Sequence, residues 1–240
     1  MKVEKKKNNK KKYLALLLAL FVCAGGTMAW LTSTGELTNQ FKVGNITDII
    51  TPDDTPDDDD GKGPDGTTDV TDDETKLNGN LYEPDWVNNS PISPGATVTK
   101  NPYVGIGPDS EDAFVFVMVK TNMNKVTFEI NKQWTPVVYD ETEEENGKYT
   151  EGLFKYNIVL EGNSNDNAWT ATPLFENVKA DSKATYKDLV GGKIAVQAYV
   201  HQANDGTGNP TLETDAENAA EAAYNSWDPF TSTGTGNDGQ

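Results

Sequence analysis

His201 is the only histidine among the 240 residues and Cys23 the only cysteine. A serine triad needs an imidazole base between a nucleophile and an orienting carboxylate, so His201 alone would have to supply it. It follows the apolar alternation of Ala198 and Val200 and precedes a polar loop, which reads as a histidine at a strand end. The H-E-x-x-H pattern of a zincin helix is absent, and one His without a mature Cys does not make an ordinary zinc site. Asp140, Glu141, Glu143, Glu144 and Glu145 crowd between two predicted strands and read as a charged loop, not as an acid paired with a base. The Asp-rich run before Gly61 and Gly66 invites a calcium reading. An EF-hand loop needs Asp at its first position and Gly at its sixth, and the two registers put Pro56 or Gly61 first. Gly105-Ile106-Gly107 precedes Pro108 and no helix, so it reads as a turn rather than a phosphate loop. No catalytic, cofactor-binding or metal-ligating residue is assigned, and a non-enzymatic protein without a cofactor is expected. Trp86, Trp134, Trp169 and Trp227 could line a carbohydrate platform, but scattered tryptophans in a β-domain read as core or rim packing.

Charge narrows the partners. The chain has a formal charge of −18 and contains no arginine. Residues 1–29 hold seven lysines and one glutamate, so their loss takes the remainder to −24. Nucleic acid needs a basic patch to neutralise phosphates, and anionic membrane surfaces need the same, so neither is an expected partner. An acidic surface suits solubility outside the cell or the binding of basic partners.

The residues that could act are carried at the front of the chain. Lys2, Lys5, Lys6, Lys7, Lys10, Lys11 and Lys12 form a positive start, Leu14 to Ala24 a short apolar run, and Thr27-Met28-Ala29 a small-residue cleavage site. The run is too short to cross a bilayer, which needs about 20 residues. Residues 1–29 therefore read as a signal peptide cut between Ala29 and Trp30, with an uncleaved N-terminal anchor, its apolar character extended by Trp30 and Leu31, as the alternative. A lipoprotein cut before Cys23 would follow Leu20-Phe21-Val22, which lacks the small residue such a cut requires. Residues 30–50 are rich in β-branched and aromatic side chains and read as an extended segment.

Composition then shifts. Residues 51–76 carry eleven carboxylates and three prolines, with Val70 as the one large apolar side chain. Such a stretch buries too little to offset its ordering entropy, so 51–80 is expected to be a disordered acidic linker. From Leu81 onward the pattern is all-β. Ala113–Lys120 is apolar on both faces, as in the central strand of a sandwich, and Lys125–Ile130 alternates, with Asn122–Asn124 as a hairpin turn between them. Further strands are predicted at Thr135–Tyr139, Lys148–Leu160, Trp169–Val178 and Lys193–His201, and one helix from Thr214 to about Trp227. The fold class is thus an all-β, jelly-roll-like antiparallel sandwich at 81–230 with one short C-terminal helix. A flexible tail follows at 231–240.

Gly25-Gly26-Thr27-Met28-Ala29-Trp30-Leu31-Thr32 followed by Phe41-Lys42-Val43-Gly44-Asn45-Ile46 is similar to the signal segment handled by the SipW-type signal peptidase. Glu83-Pro84-Asp85-Trp86, Pro94 to Pro102, Asp112 to Val117, and Val196 to Ala203 extend the likeness through the body. Taken in order, these pieces resemble the TasA and camelysin group of Gram-positive exported proteins. The resemblance implies a jelly-roll domain in the biofilm matrix or at the cell surface. It also implies head-to-tail self-assembly into fibres, in which the N-terminal strand freed by the signal peptidase is donated to a neighbour. Phe41, Val43 and Ile46 would anchor that strand in the acceptor. The acidic tether leaves two destinations open, the neighbouring subunit and the chain's own sheet. Camelysin also implies a cell-surface metalloendopeptidase, for which this chain has no matching metal motif. An adhesin or ligand-binding module is the further alternative.

Overall fold

The computed structural model describes residues 29–31, 42–43, 45–51, 61–64, 69–71, 76–140, 147–204 and 211–230. The expected signal peptide before Ala29, the anchor Phe41, most of the acidic run and the 231–240 tail lie outside them. In chain order the strands are β1 (Ala29–Leu31), β2 (Lys42–Val43), β3 (Leu77–Asn78), β4 (Leu81–Tyr82), β5 (Ser90–Ile92), β6 (Thr97–Thr99), β7 (Tyr103–Ile106) and β8 (Ala113–Thr121). They continue with β9 (Val126–Glu129), β10 (Trp134–Val138), β11 (Lys148–Tyr149), β12 (Gly152–Tyr156), β13 (Ala168–Trp169), β14 (Asn177–Ala180) and β15 (Ile194–Gln202). A helical turn, Tyr186–Leu189, precedes β15, and a C-terminal helix spans Leu212–Ser226.

The main sheet runs β10-β12-β8-β15-β2, a second β11-β9-β14-β6, and a third β13-β7-β4-β3, with β1 and β5 as a separate ribbon. The described pairings are antiparallel except that of β2 with β15. The protein is therefore mostly β, as expected. Successive side chains of a strand point to opposite faces. Val115, Val117 and Val119 accordingly share the large core with Val126 and Phe128 of β9 and Val178 of β14, while Phe116 and Met118 face the other way. There Ala216, Ala220, Ala223 and Tyr224 of the C-terminal helix cover them together with Leu153 and Tyr199. The double apolarity of β8 thus arises from a helix on the outer face of the main sheet. The small alanines let that helix sit close, and Lys155 clasps it through Glu213 and Glu217.

Three local expectations are corrected. Asn122–Asn124 is no hairpin turn: β8 is flanked on both sides by β12 and β15, so β9 has no free edge to pair with and crosses to the second sheet. Lys148–Leu160 breaks before Gly152, whose φ of 156° turns the chain from the second sheet into the first. Trp169–Val178 breaks likewise into β13 of the third sheet and β14 of the second.

The disordered-linker expectation for 51–80 is also corrected where residues are described. Val70 is 2% exposed and clusters with Ile49 and Tyr82, so the one apolar side chain of the run has found a site. The Trp169 indole donates to the Lys62 carbonyl at 2.7 Å, Lys62 N–H donates to Asp166, and Val70 N–H donates to the Gly61 carbonyl. Leu77–Asn78 hairpins onto β4 through Gly79, at φ 58°, moving the start of the folded body back to residue 76. Among the described residues, no helix is long and apolar enough to cross a membrane.

Candidate assembly site

The segment carrying the predicted anchors lies against its own body. Its two strand pieces sit at opposite ends of β15. In β2, Lys42 pairs with Val200 and Val43 with His201, next to the C-terminal end of that strand. In β1, Ala29 and Trp30, the residues of the expected cut, pair with Ile92 and Pro91. β1 also lies against the helical turn that precedes Ile194. Eleven residue steps join Leu31 to Lys42, up to about 36 Å of extended chain, against roughly 26 Å for the eight steps of β15.

Residues 45–50 then enter a groove made by the loop after β7 and by Asn80 and Asn167. Ile46, the third predicted anchor, is 7% exposed and belongs to the large core, while Ile49 joins the satellite cluster with Val70. Between these two apolar side chains the backbone is read by polar groups. Thr47 N–H donates to Ser110 Oγ at 2.9 Å, the Thr47 hydroxyl donates to the Pro108 carbonyl at 2.7 Å, and the Thr47 carbonyl accepts from Gly107 N–H and Asn80 Nδ2. The Asn45 carbonyl accepts from Glu111 N–H. Asn167 closes the groove. Its Oδ1 accepts from Ile50 N–H and its Nδ2 donates to the Ile50 carbonyl, both at 2.8 Å, so one side-chain amide replaces a paired strand residue. Such satisfaction is what permits a backbone segment to be buried without a sheet partner.

Gly107 sets the depth of the groove. A Cβ there would lie 1.8 Å from the Asp48 carbonyl oxygen, so only glycine permits the approach. Gly105 is part of β7, and a Cβ on it would run into the Trp169 ring at 2.6 Å. The Gly105-Ile106-Gly107 turn is therefore corrected to a strand end built for two close contacts. Ser110, Asn80 and Asn167 were not expected from the sequence. The only local signal was the run Asn163 to Asn167, which reads as a loop in isolation.

The Glu83-Pro84-Asp85-Trp86 and Lys100-Asn101 motifs meet as a buried clamp. Lys100 Nζ lies 2.6 Å from Glu83 Oε2, with both side chains 1% exposed, and 4.4 Å above the Trp86 ring. Asn101 Nδ2 donates to Asp85, whose N–H returns a bond to Asn101 Oδ1. The clamp fastens the turn after β4 to the connection between β6 and β7, and it is sealed from any substrate. His201 is buried at the end of β15, and its Nδ1 lies 2.9 Å from the Gln202 carbonyl. Among the described residues, no group of three or more His, Cys, Asp or Glu could hold a metal ion. Trp86 and Trp134 are core residues, the latter tilted at 51° against Tyr156 with ring centroids 5.0 Å apart, while Trp169 and Trp227 are half-buried in other places. These four tryptophans form no common platform.

Comparison of the chain with protein-family models, with curated proteins and with solved structures finds no match in any of the three.

Proposed function

We propose that this chain is an exported structural subunit of the extracellular matrix. On this reading it is cut after Ala29 and joined head-to-tail by passing the segment from Trp30 to Ile50 into the groove of the next copy. The observation that carries the reading is the groove itself, where residues 45–50 are held by contacts that the same six residues of a neighbour would reproduce. Exchange of that kind conserves the contacts, so its free energy turns on concentration and on strain in the connection rather than on new interactions. Residues 52–60, which follow the segment in the chain, hold six aspartates. A head-to-tail contact does not close on itself and generates a filament. No observation favours the protease or the adhesin reading.

The test uses the two hydroxyls that meet in the groove, Thr47 Oγ1 and Ser110 Oγ, 2.9 Å apart. Thr47→Cys with Ser110→Cys brings two sulfurs within disulfide reach in a mature chain that has no other cysteine. Fibres formed first and then oxidised are expected to give a ladder of covalent multimers on a non-reducing gel. Assembled material that runs only as internally bridged monomer would sink strand donation.

A further inference from the structure

We propose that residues 61–64 and 69–71 form a latch over the 45–50 segment, which must open before that segment can reach a neighbouring copy. The destination of the freed segment rests on the strand-donation reading, whereas the latch rests on contacts within one chain. Its two halves are joined by an antiparallel bridge between Lys62 and Asp69, and the Val70 N–H donates to the Gly61 carbonyl at 2.8 Å. Gly61, at φ 88°, and Gly63 are both buried.

Three contacts bind the latch to the end of the groove where the segment leaves. Val70, 2% exposed, packs with Ile49 of the segment and Tyr82 of β4, and Trp169 lies against the same cluster. The Trp169 indole donates to the Lys62 carbonyl at 2.7 Å. Asp166 Oδ1 accepts from Lys62 N–H at 3.2 Å and from Asn167 N–H at 2.8 Å. One carboxylate oxygen thus ties the latch to the residue whose side-chain amide brackets Ile50.

Chain length decides what the latch does. With it closed, eleven residue steps join Ile50 to Gly61, at most about 36 Å of extended chain. With it open, twenty-six steps join Ile50 to Lys76, where the body begins, or about 86 Å. A domain the length of residues 76–230 has a radius of gyration of about 15 Å and is roughly 40 Å across, which sets the spacing of equivalent grooves in a head-to-tail row. The closed latch therefore falls short of the next groove even with its tether taut, and the open one reaches it with slack. If the latch left together with the segment, only the five steps from Thr71 to Lys76 would remain, about 16 Å. A subunit with a closed latch keeps its segment, and opening frees it for exchange.

The test uses the mature chain with Thr47→Cys and Ser110→Cys, assembled and then oxidised, and compares the covalent ladder with the internally bridged monomer. Val70→Ala is expected to raise the ladder-to-monomer ratio about tenfold, the equivalent of about two buried methylene groups. Ten Gly/Ser residues inserted after Thr51 lengthen the closed tether by about 33 Å, so they should raise the ratio by themselves and leave it indifferent to Val70→Ala. A ratio that Val70→Ala leaves unchanged or lowers in the parent chain would overturn the latch. So would full sensitivity to Val70→Ala in the lengthened chain. If neither chain yields a ladder, strand donation falls, and hydrogen exchange of the monomer decides on the latch. Val70→Ala should then accelerate residues 45–50 about tenfold with β8 and β15 unchanged, and no acceleration would overturn it.

Discussion

Asn167→Ala tests whether residues 45–50 form a separately releasable element. The side chain contributes two hydrogen bonds to the Ile50 backbone, each 2.8 Å long. Ile50 is half-buried, so its freed N–H and carbonyl regain water, and each lost bond counts at its net value of about 1 kcal/mol. The segment is thus weakened by about 2 kcal/mol, which at about 1.4 kcal/mol per decade is roughly a thirty-fold rise in its open population. Hydrogen exchange by mass spectrometry reads this directly, because Thr47 and Ile50 N–H both donate within the groove. Exchange across 45–50 is expected to accelerate about thirty-fold, with peptides from β8 and β15 unchanged. Asn165→Ala, on an exposed neighbour in the same loop, is the control. Acceleration below about threefold would refute the reasoning on Asn167. Equal acceleration of β8 and β15 would show that the segment leaves only when the whole domain unfolds, and strand exchange would then lack a route.

Three further outcomes follow from the geometry. Gly107→Ala puts a methyl group 1.8 Å from the Asp48 carbonyl oxygen, so the segment should be expelled from a body that stays folded; the check is loss of closure of the Thr47→Cys, Ser110→Cys bridge with a preserved β circular dichroism spectrum. Lys100→Met leaves the Glu83 carboxylate buried without its cation and should cost about 3–5 kcal/mol in urea unfolding, most of it recovered when Glu83→Leu is added. Burial, and then the nearby Glu151 charge, push the Tyr224 phenol up to about 12 from its ordinary value of 10.0. The folded state therefore keeps a proton that the unfolded chain loses. Helix docking should hold in full below pH 10 and weaken as pH rises toward about 12, a loss that Tyr224→Phe reduces when followed by thermal melts.

The strands were legible where alternation was strong. Val126, Phe128 and Ile130 carry a period of two, and β9 lies there; the Ala-rich run after Thr214 was read as a helix, which begins two residues earlier, at Leu212. Which sheet each strand joins was not legible. A pattern of inward side chains is the same whether the next strand pairs alongside or crosses to the facing sheet, and for β9 the choice followed from β8 having both edges taken. For the few described residues of the acidic run the reason is related. Its composition speaks for disorder, but Val70 needed only one apolar site, and that site is assembled by Ile49, Tyr82 and Trp169 from three distant parts of the chain.

By itself the sequence determined the β-rich body and the net negative charge of the chain, −18 with no arginine. Each is set by composition or by periods of a few residues, and so survives without knowledge of the neighbours. Only the tertiary structure decided where the N-terminal segment lies and what holds it. Asn167 is 117 positions from Ile50 and Ser110 is 63 from Thr47. A side-chain amide that completes another segment's backbone bonding has no local signature, because the need it meets exists only once the two stretches are brought together.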